Sequence, residues 1–349
     1  MSISISRIDE SESTTWNDYV DRFPGTNPFH RWEGLQTVAD YSGCRLHPLV
    51  GYNGNQPVAL VPLYEHSARG RTLVRSPPRL VESFPLGPVF APPGGMKRRK
   101  TERNRTEFVD AVQTWLDEHV DPSYVHIRAG PVVSDVRTFQ WNGYDATPFY
   151  TYFLDLTPDP DDLLASFSRD ARTNVRDAEE AGVTVREGDK TDVKRIIRQV
   201  ERRHHEQDES YPMPVPFVAD CYSRLPEGAV RAYVAEMDGE MVSGIVTLET
   251  EDVIYRWQGG VKYGGDAPAT DLLDWHVMQA ARDRGIEQYD LVGANMRRLC
   301  GYKAKFSPEP VVYYNLTRHD RLHQFLTDAQ SLADGLVHGF ETLRHRVDR

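Results

Sequence analysis

The feature that most limits how this chain can fold is a duplication. Val50 to Leu63 (VGYNGNQPVALVPL) alternates apolar and polar positions up to Asn53-Gly54 and resumes as a valine-rich run, the pattern of two strands and a tight turn. Val234 to Leu248 (VAEMDGEMVSGIVTL) repeats it with Asp238-Gly239 at the turn, and Val50 and Val58 precede Val234 and Val242 by the same interval. One amphipathic helix and one short strand follow each hairpin. In the first half these are Thr106 to His119 and Tyr124 to Arg128; in the second, Thr270 to Arg284 and Tyr289 to Val292. Hairpin, helix and strand, twice over, predict an α/β (α+β) protein of two like domains, each a mixed, mainly antiparallel sheet flanked by helices. The length of 349 residues agrees, because a single core stops growing near that size. The expected domains are 1–148 and 149–319, with 320–349 as a helical appendage carrying Leu322, Phe325, Leu332 and Phe340.

The connections carry further signals. Ser76 to Lys100 is rich in Pro and Gly and ends in MKRRK, which reads as an ordered loop closing on an exposed, solvated basic turn. Tyr150 to Leu156 (YTYFLDL) alternates as a strand, and Pro160-Asp161-Asp162 opens one long polar helix, LLASFSRDARTNVRDAEEAG, that Gly182 ends before the strand VTVRE. Helices over Asp192 to Gln207 and Val215 to Leu225 follow, separated by Pro212 and Pro214.

Charge and motif content narrow the function. The net charge of −11 argues against a general grip on nucleic acid. Only seven of the 41 basic residues are lysine, and aspartates outnumber glutamates, a balance that suits a high-salt cytosol or reflects a GC-rich coding sequence. The start, MSISISRIDESES, has neither a basic segment nor an apolar stretch, and no run is long enough to cross a bilayer, so a cytoplasmic place is expected. Cys44, Cys221 and Cys300 have no metal-binding spacing, so no metal is expected. Nucleophile elbow, Walker loop, zinc-protease helix and dinucleotide fingerprint are all missing, which removes many hydrolases, NTPases and dehydrogenases.

Two constellations remain. Arg169, Arg172 and Arg176 recur at three and four residues on one helix face with Asn174 close by, a stripe able to hold a phosphate or carboxylate. A salt-bridged surface is the plainer reading, because Asp170, Asp177, Glu179 and Glu180 are neighbours. Tyr302-Lys303-Ala304-Lys305-Phe306 concentrates two of the seven lysines just after the strand Tyr289 to Val292. In an extended conformation Tyr302, Ala304 and Phe306 pack while Lys303 and Lys305 face a cleft or water. Tyr255 and Trp257 read as core or cleft lining.

In their order, YTYFLDL, FSRDARTNVRDAEEAGVTV, VIYRWQGGVKYGGDAPATDLLDW, GIEQYDLVG and YKAKF resemble the FemABX peptidyl and aminoacyl transferases, and so do Pro28-Phe29-His30-Arg31-Trp32 and Leu86-Gly87-Pro88-Val89 in the first half. That resemblance implies tandem acetyltransferase-like (GNAT) domains that join an activated acyl or aminoacyl donor, either acyl-CoA or aminoacyl-tRNA, to the amine of a small molecule, peptide or lipid headgroup. It implies Lys303, with Lys305 beside it, at the developing oxyanion. Arg172 or Arg176 would hold an anionic group of the acceptor, with Asn174, Tyr255, Trp257 and Asp290 also lining the substrate site. Lys262-Tyr263-Gly264-Gly265-Asp266-Ala267 is similar in spacing to the acyl-CoA phosphate loop of GNAT enzymes, which places Lys262, Gly265 and Ala267 at the donor. The helix after Trp32 lacks the lysine that the peptidoglycan enzymes use for acceptor phosphates, and no coiled-coil insertion for tRNA is present. The alternative is a silent member of the family that binds a headgroup, peptide or glycan in the same groove.

Overall fold

The computed structural model describes residues 2–68, 70–260 and 268–320. Lys262, Gly265, Ala267 and the appendage beyond Asp320 lie outside these. The first half runs β1 (Ser4–Arg7), α1 (Ser13–Arg22), α2 (Trp32–Ser42), β2 (Arg45–Asn53), β3 (Gln56–Ala68), β4 (Arg71–Ser76), β5 (Val89–Phe90), α3 (Arg98–His119), β6 (Tyr124–Ala129), α4 (Arg137–Trp141) and β7 (Asp145–Asp155). The second runs α5 (Pro160–Ser166), α6 (Arg169–Glu180), β8 (Thr184–Gly188), α7 (Lys190–Glu206), α8 (Val215–Arg224), β9 (Val230–Met237), β10 (Glu240–Glu249), β11 (Val253–Gly259), α9 (Ala269–Asp283), β12 (Gln288–Asp290), α10 (Arg297–Lys303) and β13 (Glu309–His319).

The strands make one sheet in the order β1-β2-β3-β4-β6-β13-β7-β12-β11-β10-β9-β8, with β5 on β3. Read inward from either edge the plan is the same. Four strands come first, then one parallel to the fourth (β6 on β4, β12 on β11), then an antiparallel one. That last strand is exchanged: β13, from the second half, pairs with β6, while β7, from the first, pairs with β12, and the two meet antiparallel at the centre. The boundary expected at residues 148/149 falls within β7.

The predicted hairpins occupy equivalent places, β2–β3 and β9–β10, and share their register, Val50 opposite Leu60 and Val234 opposite Gly244. The second turns at Asp238-Gly239, both at positive φ as a type I′ turn requires. The first turns at Gly54-Asn55, one residue later than expected, because Asn53 pairs with Gln56. Two helices were misjudged. MKRRK is not a free turn: α3 begins at Arg98, so Arg98 to Lys100 form its first turn. The expected long polar helix is broken at Phe167, which is extended and buried, and Ser168 caps α6 by accepting from the Ala171 N–H.

Helices cover both faces. Behind the first half lies α3, over Val109, Val112 and Leu116. Behind the second lie α6 and α9, over Ala171, Val175, Leu273 and Met278. On the other face one core is common to both halves, with α2 against α8. There Phe29 meets Phe84 and Trp257 edge-on at 5.5 and 5.4 Å and stacks on Phe217 at 6.4 Å. Each buried phenylalanine contributes about 1.5–3 kcal/mol, so the halves are joined by this core as well as by the sheet. Among the described residues no helix is long and apolar enough to cross a membrane.

The halves differ where the fourth and fifth strands separate. In the first, the chain returning from β4 fills the parting. Ser76 Oγ donates to the Leu86 carbonyl at 2.6 Å, and the Gly87 N–H donates to the Arg128 carbonyl at 2.8 Å. Gly87 leaves no room for a side chain: a Cβ there would lie 2.6 Å from the Arg128 oxygen and 2.8 Å from Ala129 Cα, both backbone atoms. Gly87→Ala is expected to cost about 1–3 kcal/mol of folding free energy, read as a lower urea midpoint at unchanged slope.

Candidate active site

In the second half the corresponding parting is open among the described residues. β11 pairs with β12 only from Val253 opposite Gln288 to Tyr255 opposite Asp290. Beyond that point β11 stays on β10 as far as Gly259. The chain after Asp290 stays on β7, with the Leu291 N–H on the Tyr152 carbonyl at 2.9 Å and the Ala294 N–H on the Tyr150 carbonyl at 2.8 Å. The bend falls on Val292, whose φ of 51° is a strained conformation for a β-branched residue, and on Gly293 at 82°.

Three side chains hold this bend. Asp290 Oδ1 accepts from the Thr151 hydroxyl and, at 2.7 Å, from the Val292 N–H; Thr151 Oγ1 accepts from the Gly293 N–H at 3.1 Å. Lys303 Nζ donates to the carbonyls of Val292 and Gly293 at 2.5 and 2.6 Å. Lys303 is therefore buried, 6% exposed, and does not face water as an extended segment would have allowed. The reason is that residues 297–306 are helical: α10 continues into a 3-10 turn, Ala304–Phe306, in which Tyr302 and Phe306 pack edge-on at 5.6 Å. Burial, reinforced by the nearby Arg256 charge, pulls the Lys303 ammonium down to about 8. Burial also pushes the Asp290 carboxyl up to about 6, against its hydrogen bonds and the Lys303 charge.

A second layer lies beneath. Asp274 on α9 is fully buried and accepts four hydrogen bonds, from Arg256 Nε at 2.8 Å and Nη2 at 3.2 Å, Tyr289 OH at 2.8 Å and Tyr302 OH at 2.7 Å. One turn away, buried Asp271 accepts from Lys305 Nζ at 2.6 and 2.8 Å and from Asn174 at 2.6 Å. Lys305 and Asn174 are thus joined to each other and tie α6 and the 3-10 turn to α9. Of the other candidates, Tyr255 is buried opposite Asp290, and Trp257, 4% exposed, sits in the core common to both halves with its indole N–H unpartnered among the described residues. Arg172 and Arg176 are exposed on α6. Arg172 donates to the Ala165 carbonyl at 2.7 Å, and Arg176 lies 3.7 Å from Asp177 and from Glu180, the salt-bridged surface that composition favoured.

Thr151, Arg256, Asp271 and Asp274 were missed by sequence reasoning. A signal for the last two was present: 271, 274, 278 and 281 follow one face of α9, and Met278 and Ala281 on it are buried. Carboxylates on a core-facing stripe require buried cations or hydroxyls as partners.

Residues 165–304 match the profile of a family described as an acetyltransferase (GNAT) domain. The likeness to solved structures extends beyond the matched residues to most of the chain and is one of fold. The backbone is similar to the crystal structure of FemX, with a TM-score of 0.69 at 13% identity over 89% of this chain and 96% of that one. It is also similar to the C-terminal domain of a putative lysylphosphatidylglycerol synthetase from Agrobacterium fabrum (0.55, 13%, over 92% and 96%) and to a tandem GNAT protein from the clavulanic acid pathway (0.51, 14%, over 91% and 98%). No protein of curated function matches in sequence. The resemblance to the FemABX transferases drawn from the motifs is borne out at the level of the fold.

Asp274→Ala would leave the Arg256 guanidinium buried without its counter-ion and two tyrosine hydroxyls without an acceptor. It should destabilise by about 3–5 kcal/mol, whereas Arg176→Ala should stay within about 0.5 kcal/mol. Chemical denaturation of the two variants side by side checks the contrast.

Proposed function

We propose that the second half transfers an acyl or aminoacyl group from an activated ester or thioester to an amine, with the donor carbonyl placed in the parting between β11 and residues 291–294. The observation that carries this reading is the contrast between the halves. One fold occurs twice, yet Leu86 and Gly87 occupy the parting in the first half while a buried lysine and a buried aspartate border it in the second.

In the proposed reaction the amine nitrogen attacks the donor carbonyl carbon, a C–N bond forms, and the carbonyl π pair moves to oxygen. Collapse of the tetrahedral adduct breaks the C–S or C–O bond, and the leaving thiol or hydroxyl departs with a proton. Lys303 has three N–H groups, two of them on carbonyls; the third serves the oxyanion, where a preorganised donor acts more on the transition state than on the ground state. Asp290, with Oδ1 engaged by Thr151 and Val292, receives the acceptor amine and its proton at Oδ2. Lys305 acts through Asp271 as a positioning residue. Arg172 rather than the ion-paired Arg176 holds an anionic group of the acceptor, and the connection containing Lys262, Gly265 and Ala267 receives the donor. Acyl-CoA and aminoacyl-tRNA are both donors of the required chemistry. The acceptor is a small molecule, peptide or lipid headgroup bearing an amine. Turnover of acyl-CoA or of charged tRNA against a pool of amines tests the reading; consumption of neither donor would sink it.

One observation favours the second reading, a groove that binds without transfer. The two carbonyls on Lys303 give that residue a purely structural task, to hold the strained turn at Val292. Lys303→Met separates the two. Under transfer, kcat falls about 100 to 1,000-fold with KM little changed; under binding alone, ligand affinity falls with the melting temperature.

The pH profile supplies a further test. Lys303 acts protonated, so kcat/KM should fall as pH rises through about 8, and Asp290 acts ionised, so it should rise as pH passes about 6. Asp290→Asn should lower the rate and abolish the acid limb. Its melting temperature at pH 7 should not drop, since the amide oxygen can still accept from Thr151 and Val292 while the buried charge is gone.

A further inference from the structure

We infer that the first half carries a second ligand site, a cavity of about 540 Å³ that takes a phosphorylated small molecule with an apolar or aromatic body. It lies between the tip of the β2–β3 hairpin, residues 90–96 and the first two turns of α3, and no acidic side chain lines it. In a chain of net charge −11 this is a marked local reversal, because Arg22, Lys100 and Arg105 all border it. None of the three makes an ion pair among the described residues. The acids nearest in sequence are engaged elsewhere, Asp21 with Arg31, Glu102 with Arg137 and Glu107 with Arg103.

Arg105 and Thr101 belong to its α3 wall, and among the described residues Arg105 Nε and Thr101 Oγ1 are buried without a hydrogen-bond partner. Cationic side chains with no carboxylate partner are the groups that an oxyanion would satisfy. Amide groups of Asn53, Gln56 and Asn104 add further donors. A phosphate ester, with two charges and three free oxygens, matches so many donors better than a carboxylate does. The size asks for more than an inorganic anion, since cavities of this volume accommodate drug-sized molecules. Phe23, Pro57, Phe90 and Pro92 form the apolar side, and the Arg105 guanidinium already lies 5.0 Å from the centre of the Phe90 ring. The basic segment that the sequence marked as a solvated turn thus has a use: Lys100 is its last residue.

Calorimetric titration of the full chain at low salt with phenyl phosphate, inorganic phosphate and benzoate tests this site. Phenyl phosphate should bind about tenfold or more tightly than either fragment, and its affinity should fall as salt rises. Lys100→Gln, at an exposed position where folding is not at stake, and Arg105→Gln should each weaken it by about tenfold. The proposal is overturned by absence of binding, by phenyl phosphate binding no better than benzoate or phosphate, or by binding that survives both substitutions unchanged.

Discussion

At the centre of the sheet β7 and β13 run antiparallel, from Phe153 opposite Glu309 to Asp145 opposite Thr317, each lying against a fifth strand that belongs to the other half of the chain. This exchange turns two similar sheets into one, and the arrangement of Asp290 and Lys303 beside the parting depends on it. Thr151, which bonds Asp290 and the Gly293 N–H, is on β7; Asp290 ends β12; Lys303 ends α10, the last helix before β13. Separating the halves would remove Thr151 from Asp290 and leave the bend at Val292 without one of its three supports. The common core around Phe29 and Trp257 restrains the same movement from the other face.

The repeat was legible because the hairpins are built from local signals: alternation, a turn pair and a following amphipathic helix. Their agreement in spacing became agreement in register. The exchange was not legible, because strands of either order satisfy the same alternation and only long-range pairing distinguishes them. Lys303 and Asp290 were singled out by motif. Their burial was hidden because the alternating reading of Tyr302 to Phe306 assumed an extended chain, whereas packing of Tyr302 on Phe306 and Asp274 drew the segment into a helix. The break at Phe167 was visible in principle as a serine three residues before Ala171, but the polar pattern continued through it.

The two carboxylates of α9 show how the site is kept in place. Asp271 and Asp274 are each desolvated, and each is stabilised only because its partners come from several elements at once: β11, β12 and α10 at Asp274, α6 and the turn after α10 at Asp271. Such a network is unforgiving, since one missing partner strands a buried charge. The result is that the C-terminal end of α10 and the turn after it are fixed on either side of Lys303, by Tyr302 and by Lys305.

Fold stability and chemistry oppose each other at this lysine and aspartate. Burial favours neutral Asp290, so the stability it adds is present below its ordinary pKa of 3.8 and is lost as pH rises through about 6. Burial likewise favours neutral Lys303, whose contribution is present above its ordinary 10.5 and is lost as pH falls through about 8. Between about pH 6 and 8 both groups are charged, the state that the proposed transfer requires and the one that burial penalises. Their mutual attraction and the backbone groups of Val292 and Gly293 offset part of that cost. A strained valine, a buried cation and a buried acid beside the parting are what the proposed transfer asks of the fold. The first half has Leu86 and Gly87 at the corresponding place instead.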